Sequence, residues 1–166
     1  MTKYRYSPLL LILITMALSC TQKKKSKLNG EWKIVEVQTV KQDSVSTSLP
    51  TESDVIFADN YYSFCWTSQQ SSPTSWQMSD SMKLDRMNQM LINTGTYELN
   101  DSILTTKPKF ALNPFFVNGE AKFRYSFNGD TLVLTGLSVN SFNNVPVPIY
   151  TNGGHIVNKL VRVKAN

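Results

Sequence analysis

The chain has little of what catalytic and metal sites are usually built from. Among its 166 residues there is one histidine, His155, and there are two cysteines, Cys20 and Cys65. No His-x-x-x-His pair, Gly-x-Ser-x-Gly elbow or P-loop occurs. Two cysteines are too few for a disulfide scaffold, and they cannot make a Cys-based zinc site. Gly and Pro number 7 each, which excludes a collagenous or Pro-rich fibre. No apolar run reaches the roughly 20 residues that a bilayer-spanning helix needs. What the chain does have is 41% hydrophobic and 11% aromatic residues, ample for the core of one ordinary domain and against global disorder.

The net charge of +5 is concentrated at one end. Of the 17 Lys and Arg, six lie before Leu28 (Lys3, Arg5, Lys23, Lys24, Lys25 and Lys27). From Leu28 onward 11 bases therefore face 12 acids, a net charge of −1. A nucleic-acid partner requires a basic face on the folded domain, and this distribution argues against one.

Those six bases flank an uncharged run of eleven residues, Pro8 to Leu18. Positive residues followed by a short apolar stretch are the pattern of a secretory signal. The run ends in Ala17-Leu18-Ser19-Cys20, which resembles the lipobox of bacterial lipoproteins, in which the Cys is acylated and becomes the new N-terminus. The usual Leu three places before the Cys is Ala17 here, with Leu18 beside it. The resemblance implies a signal peptide over 1–19, a lipidated Cys20 with a polar tether over 20–27, and a folded domain over 28–166. Several acyl chains hold a protein to a bilayer where one alone is marginal. With Cys20 acylated, Cys65 has no partner for a disulfide and reads as a half-buried small apolar residue. The expected location is the bacterial cell envelope, anchored in the outer membrane and facing the periplasm, because no acidic run follows Cys20.

From Leu28 on, turn signals separate short β-rich runs at intervals of roughly ten residues, the spacing of an antiparallel sandwich or barrel. In Ala121 to Phe127, Ala, Phe, Tyr and Phe alternate with Lys, Arg and Ser, the period of a strand with one buried face. Asn128-Gly129-Asp130 predicts a tight turn into Thr131 to Thr135. Gly95 to Leu99, with Asn100-Asp101 and Ser102 to Thr106, predicts a second hairpin. Glu31 to Val40, Val55 to Ala58, Tyr61 to Thr67 and His155 to Val163 complete about eight strands. Ser79 to Asn93 differs: without Gly or Pro, with Leu84, Met87 and Leu91 at helical spacing, it predicts one short helix capped by Ser79 or Ser81. Its methionines read as core filling, or as an adaptable surface over a ligand mouth. Ser68 to Thr74 and Phe142 to Gly154 read as loops.

At Gly30-Glu31-Trp32 the chain resembles the lipocalins, whose first strand opens with Gly-x-Trp. The resemblance implies that Gly30 and Trp32 close the narrow end of an eight-stranded antiparallel up-and-down barrel, with Arg162 of the last strand stacked on the Trp. The middle of the chain is more specific. Asn93 to Leu99, Ser102 to Pro108, Ala111 to Pro114, Phe123-Arg124-Tyr125 and Gly129 to Leu132 resemble the lipocalin-like proteins of bacteria, in which a helix precedes the Gly-Thr-Tyr-Glu strand. The resemblance runs from about Leu28 to Val163 and is strongest between 90 and 135. It implies an all-β barrel and no agreed activity, because the family is defined by its fold.

An eight-stranded barrel has room for its own side chains or for one small ligand. Alternation turns Phe123, Tyr125 and Phe127 inward, with Tyr97 from another strand and Tyr62, Phe64 and Trp66 as a second row. The candidate ligand-binding residues are Phe64, Trp66, Tyr97, Phe123, Tyr125 and Phe127. The same rings would equally fill the barrel solid.

No catalytic residue, metal ligand or cofactor is expected. The acidic pairs Glu52/Asp54 and Asp80/Asp85 read as loop and helix-start charges. Three function classes remain, in this order: a membrane-tethered module binding a small apolar ligand, an interaction lipoprotein with a filled barrel, and an enzyme with an unfamiliar site near His155 and Tyr150.

Overall fold

A computed structural model describes residues 26–69 and 76–164. The export segment, Cys20, Lys23 to Lys25 and most of the Ser68 to Thr74 loop lie outside the described residues. The described chain is mostly sheet. Its strands are β1 (Gly30–Lys41), β2 (Ser44–Ser48), β3 (Glu52–Ala58), β4 (Tyr61–Thr67), β5 (Met90–Asn100), β6 (Ile103–Ala111), β7 (Glu120–Asn128), β8 (Thr131–Asn140) and β9 (His155–Arg162). Two short α-helices, α1 (Asp80–Asn88) and α2 (Pro148–Thr151), and a 3-10 turn at Pro114–Phe116 interrupt them.

All strand pairs are antiparallel, neighbour to neighbour from β3 to β9, and β9 returns to pair with β1 from Trp32↔Arg162 to Val40↔His155. The barrel is thereby closed by eight strands, with no free edge along the ring. The ninth strand is additional. β1 is twelve residues long, and its two halves use the same edge differently: Gly30 to Trp32 pair with β3, whereas Val37 to Lys41 pair with β2. The additional strand, β2, is formed by Ser44 to Ser48, a polar serine- and threonine-rich stretch with no buried face to announce a strand.

Period-2 alternation places the core. Val55 and Phe57 of β3, Leu104 of β6, Leu132 and Leu134 of β8 and Leu160 of β9 are all at most 1% exposed. In β1 the inward positions are Trp32, Ile34 and then Val37, a step of three. A bulge between Ile34 and Glu36 absorbs the extra residue and leaves Val35 on the outside.

The segment 79–93 is helical only as far as Asn88. Ser79 caps α1, its hydroxyl accepting from the Met82 amide at 3.3 Å. The chain then turns at Gln89 and runs as β5 from Met90, so Leu91 belongs to a strand and not to the helical face expected for it. No residue of α1 is buried, and Met82, Leu84 and Met87 are each about half exposed. The expectation that these methionines fill the core is therefore corrected: the barrel is closed without the helix. Phe142 to Gly154 is not wholly irregular either, because α2 and a bridge between Asn140 and Pro146 lie within or beside it.

The two barrel ends differ in their connections. At one end, β3–β4, β5–β6 and β7–β8 turn in two residues each, with Asp59, Asp101 and Gly129 supplying φ values of 53°, 51° and 58°. The opposite end carries the longer connections with α1, the 3-10 turn and α2. The tight end is sealed by the N-terminal segment. Leu28 is wholly buried there, and the Trp32 indole N–H donates to the Leu28 carbonyl at 2.7 Å. The Arg162 guanidinium lies 4.1 Å from the centre of the Trp32 ring and donates to the carbonyls of Asn29, at 2.8 Å, and Lys27. Gly30 makes this approach possible. Its φ is +129°, and a Cβ there would lie 2.5 Å from Arg162 Nη1. The closure expected of Gly30, Trp32 and Arg162 is thus one contiguous contact.

Arg162→Ala is expected to lower stability by about 1–3 kcal/mol, the loss of the ring contact and of two charge-assisted hydrogen bonds. Arg162→Lys should restore less than half of that, because a single ammonium cannot stack on the ring and span both carbonyls. Gly30→Ala should cost a similar ~1–3 kcal/mol through backbone strain and displacement of Arg162. Urea unfolding curves of the three variants measure all three values.

Candidate ligand cavity

Inward side chains fill the sealed half of the barrel and leave space in the other half. Phe57 packs edge-on against Tyr97 at 5.3 Å between ring centres, and above it a cavity of about 260 Å³ opens toward the end with the long connections. Phe57 and Leu104 contribute to its lower wall, and Phe64, Trp66 and Phe123 to its sides. Register explains the grouping: Phe64 pairs with Asn93 and Trp66 with Leu91, so β4 and β5 present alternate residues to the same space.

Of the six aromatic residues expected to bind a ligand, Phe64, Trp66 and Phe123 are brought together on this wall. The other three lie toward the sealed end. Tyr97 donates its hydroxyl to Asn29 Oδ1 at 3.1 Å. Tyr125 donates to the Asp101 carbonyl at 2.8 Å, in the β5–β6 turn. Phe127 packs 6.2 Å from the Trp32 ring and the same distance from Tyr125. These three do not line the cavity, and Phe127, expected to turn inward, is exposed at the sealed end of the barrel. Alternation along β7 tells inside from outside, whereas depth along the barrel axis depends on strand tilt and register.

The cavity also holds polar groups, and of these only Tyr62 belongs to the aromatic rows. Tyr62, Thr106, Asn93 and Asn158 project into it from four strands, and Tyr150 enters from α2. Burial pushes the Tyr62 hydroxyl up to about 12, slightly opposed by its hydrogen bond with Thr106. Burial alone pushes Tyr150 up to about 12. The Tyr150 ring lies against Gly136, where a Cβ would fall 2.4 Å from the phenolic oxygen. Thr106 donates to the Ala121 carbonyl at 3.4 Å. Tyr62 and Thr106 were legible as strand alternation. Asn93 was not, because the Met-rich stretch before it reads as helix.

Among the described residues, no Lys or Arg lines the cavity, and the one carboxylate that does, Glu120, is paired with Lys122 at 3.0 Å. His155 opens β9 outside the cavity wall. Among the described residues, no group of three or more His, Cys, Asp or Glu is placed to hold a metal ion. Cys65 is half-buried, its Sγ 3.5 Å from the Ser63 hydroxyl, on the alternate face from Phe64 and Trp66.

A family model described as a lipocalin-like domain matches residues 29–146. The chain belongs to the lipocalin-like domain family. No curated protein and no solved structure matches it significantly. Within this lipocalin-like chain the match spans Gly30 and Trp32 but stops short of β9, the strand that closes the barrel and carries Arg162. The lipocalin-like fold suggests a ligand-binding or carrier role, and such proteins are typically non-enzymatic.

Burial also raises Tyr97, and the two tyrosines shifted furthest, Tyr62 and Tyr150, make the lipocalin-like barrel sensitive to alkali. Their hydroxyls are neutral in the fold up to about pH 12 and ionise near 10 once exposed. The unfolded state thus loses these protons first, so the stabilisation is complete below pH 10 and falls as pH rises from 10 to 12. Absorbance titration at 295 nm should show a late-ionising class of tyrosines, and urea midpoints should fall over this interval. Tyr62→Phe should flatten that decline.

Proposed function

We propose that the protein is a membrane-anchored lipocalin-like lipoprotein of the bacterial cell envelope that takes up a small hydrophobic ligand in its barrel. The observation that carries the reading is the 260 Å³ space bounded by Phe64, Trp66 and Phe123. A barrel filled solid by its own rings, the basis of the structural alternative, would not leave this volume. Ligand pockets commonly measure about 300–1,000 Å³, so a single slender molecule suits the size.

The tether reading rests on the sequence up to Cys20 and gains support from the direction of the chain. Lys27 to Asn29 lie under Arg162 at the sealed end. Cys20 is six residues before Ser26, a reach of at most ~20 Å. A lipid anchor at Cys20 would hold the sealed end toward the bilayer and turn the mouth toward the periplasm. Several exposed apolar residues near that mouth, among them Leu49, Leu84, Met87 and Phe142, suit the passage of an apolar molecule.

Native mass spectrometry of the purified full-length chain, followed by organic extraction, should detect a co-purifying apolar molecule at up to one per chain. Ala121→Phe, which adds a ring to the cavity wall, should remove it while leaving the circular dichroism spectrum unchanged. An empty wild-type chain that also binds no added hydrophobe would favour the filled-barrel alternative. Separately, cells fed an alkyne-tagged fatty acid should label the wild-type protein, and Cys20→Ala should abolish the label; an unlabelled wild type would remove the anchor and leave the ligand reading intact.

A further inference from the structure

The cavity is uneven in its chemistry. Its surface is mainly apolar and, among the described residues, carries no basic side chain that offers a countercharge to a carboxylate or phosphate. Its carboxylate, Glu120, is already paired with Lys122. The other polar side chains lining the space are uncharged amides and hydroxyls, among them Asn93, Asn158, Tyr62, Thr106 and Tyr150. Among them Asn93 stands out. Its side-chain oxygen is buried and, among the described residues, has no hydrogen-bond partner. A buried acceptor left unpaired costs free energy that a bound donor would restore.

Asn93 is held where it is by two strands. It pairs with Phe64 across β4 and with Ala111 across β6, next to the bulge at Thr94–Gly95. It also borders a second recess, outside the barrel, between α1, the start of β5 and the 3-10 turn. The amide therefore lies between the interior cavity and that outer groove, well above Tyr97 and the sealed core.

On the reading that the barrel takes a hydrophobic ligand, we infer that the ligand is an uncharged amphiphile whose hydrogen-bond donor, such as a hydroxyl, is received by the Asn93 side chain while its apolar part lies against Phe64, Trp66 and Phe123. A fatty-acid anion is disfavoured at the same site. Ionised, it brings a charge that no lining group among the described residues neutralises, and it has no proton to donate to the unpartnered Asn93 Oδ1.

Isothermal titration calorimetry of the full-length chain with 1-decanol, methyl decanoate and decanoate at pH 8 tests this, because the three share a ten-carbon chain and differ in the head. Decanol should bind about tenfold more tightly than decanoate and several-fold more tightly than the ester, which accepts but cannot donate. Asn93→Leu, of similar volume, should erase the preference of alcohol over ester while keeping binding of the ester. Decanoate binding as well as decanol, or an alcohol preference that survives Asn93→Leu, would overturn the inference and leave the ligand-binding reading standing. Saturable binding of none of the three would overturn both.

Discussion

The guanidinium of Arg162 is the keystone of this barrel, because three separate structural demands meet on it. It stacks on Trp32, it takes up the carbonyls of Lys27 and Asn29, and it occupies the volume that a side chain at position 30 would claim. The partners are 133 residues apart in the sequence, at the two ends of the ring. The contact therefore forms only when β9 has docked beside β1 and the circle of strands is complete. A closed ring leaves no row of unpaired backbone groups, which an open sheet of this length would expose.

Sealing one end shapes what the other can do. With Leu28, Trp32, Ile34 and Leu160 packed below and the Phe57–Tyr97 pair above them, the lower barrel is a solid core. The upper barrel is left with aromatic walls, scattered neutral polar groups and no counterion. On the proposed function, that division separates stability from recognition. Residues in the lower half answer to packing, and those in the upper half would be free to suit a ligand. Tyr97, Tyr125 and Phe127 belong to the first group despite sharing the alternation of the second.

The hairpins were legible because their signals are local. Ala121 to Phe127 alternates strictly, and Gly129 takes the positive φ that its turn needs. β2 was invisible because a hairpin arm of serine and threonine with no buried face carries no hydrophobic period. At 79–93 two signals overlapped. Helical spacing was present and a capped helix does form, but the inward demand of β4 drew Leu91 and Asn93 into a strand. The methionines on α1 then had no core left to fill.

Local chemistry in the chain thus determined the all-β class, most strand positions and the tight turns, because each depends on period or turn residues, whereas the three members of the closure are what the Gly-x-Trp resemblance implies. It also established that from Leu28 onward the net charge is −1 and that no His-x-x-x-His pair, Gly-x-Ser-x-Gly elbow or P-loop occurs. Tertiary structure alone decided how far up the barrel each inward ring sits, that a cavity persists above Phe57, and that Asn93, whose side-chain oxygen has no partner among the described residues, borders it. Those outcomes depend on register, bulges and strand tilt around a closed circle. They are properties of all the strands at once, and no single segment carries them.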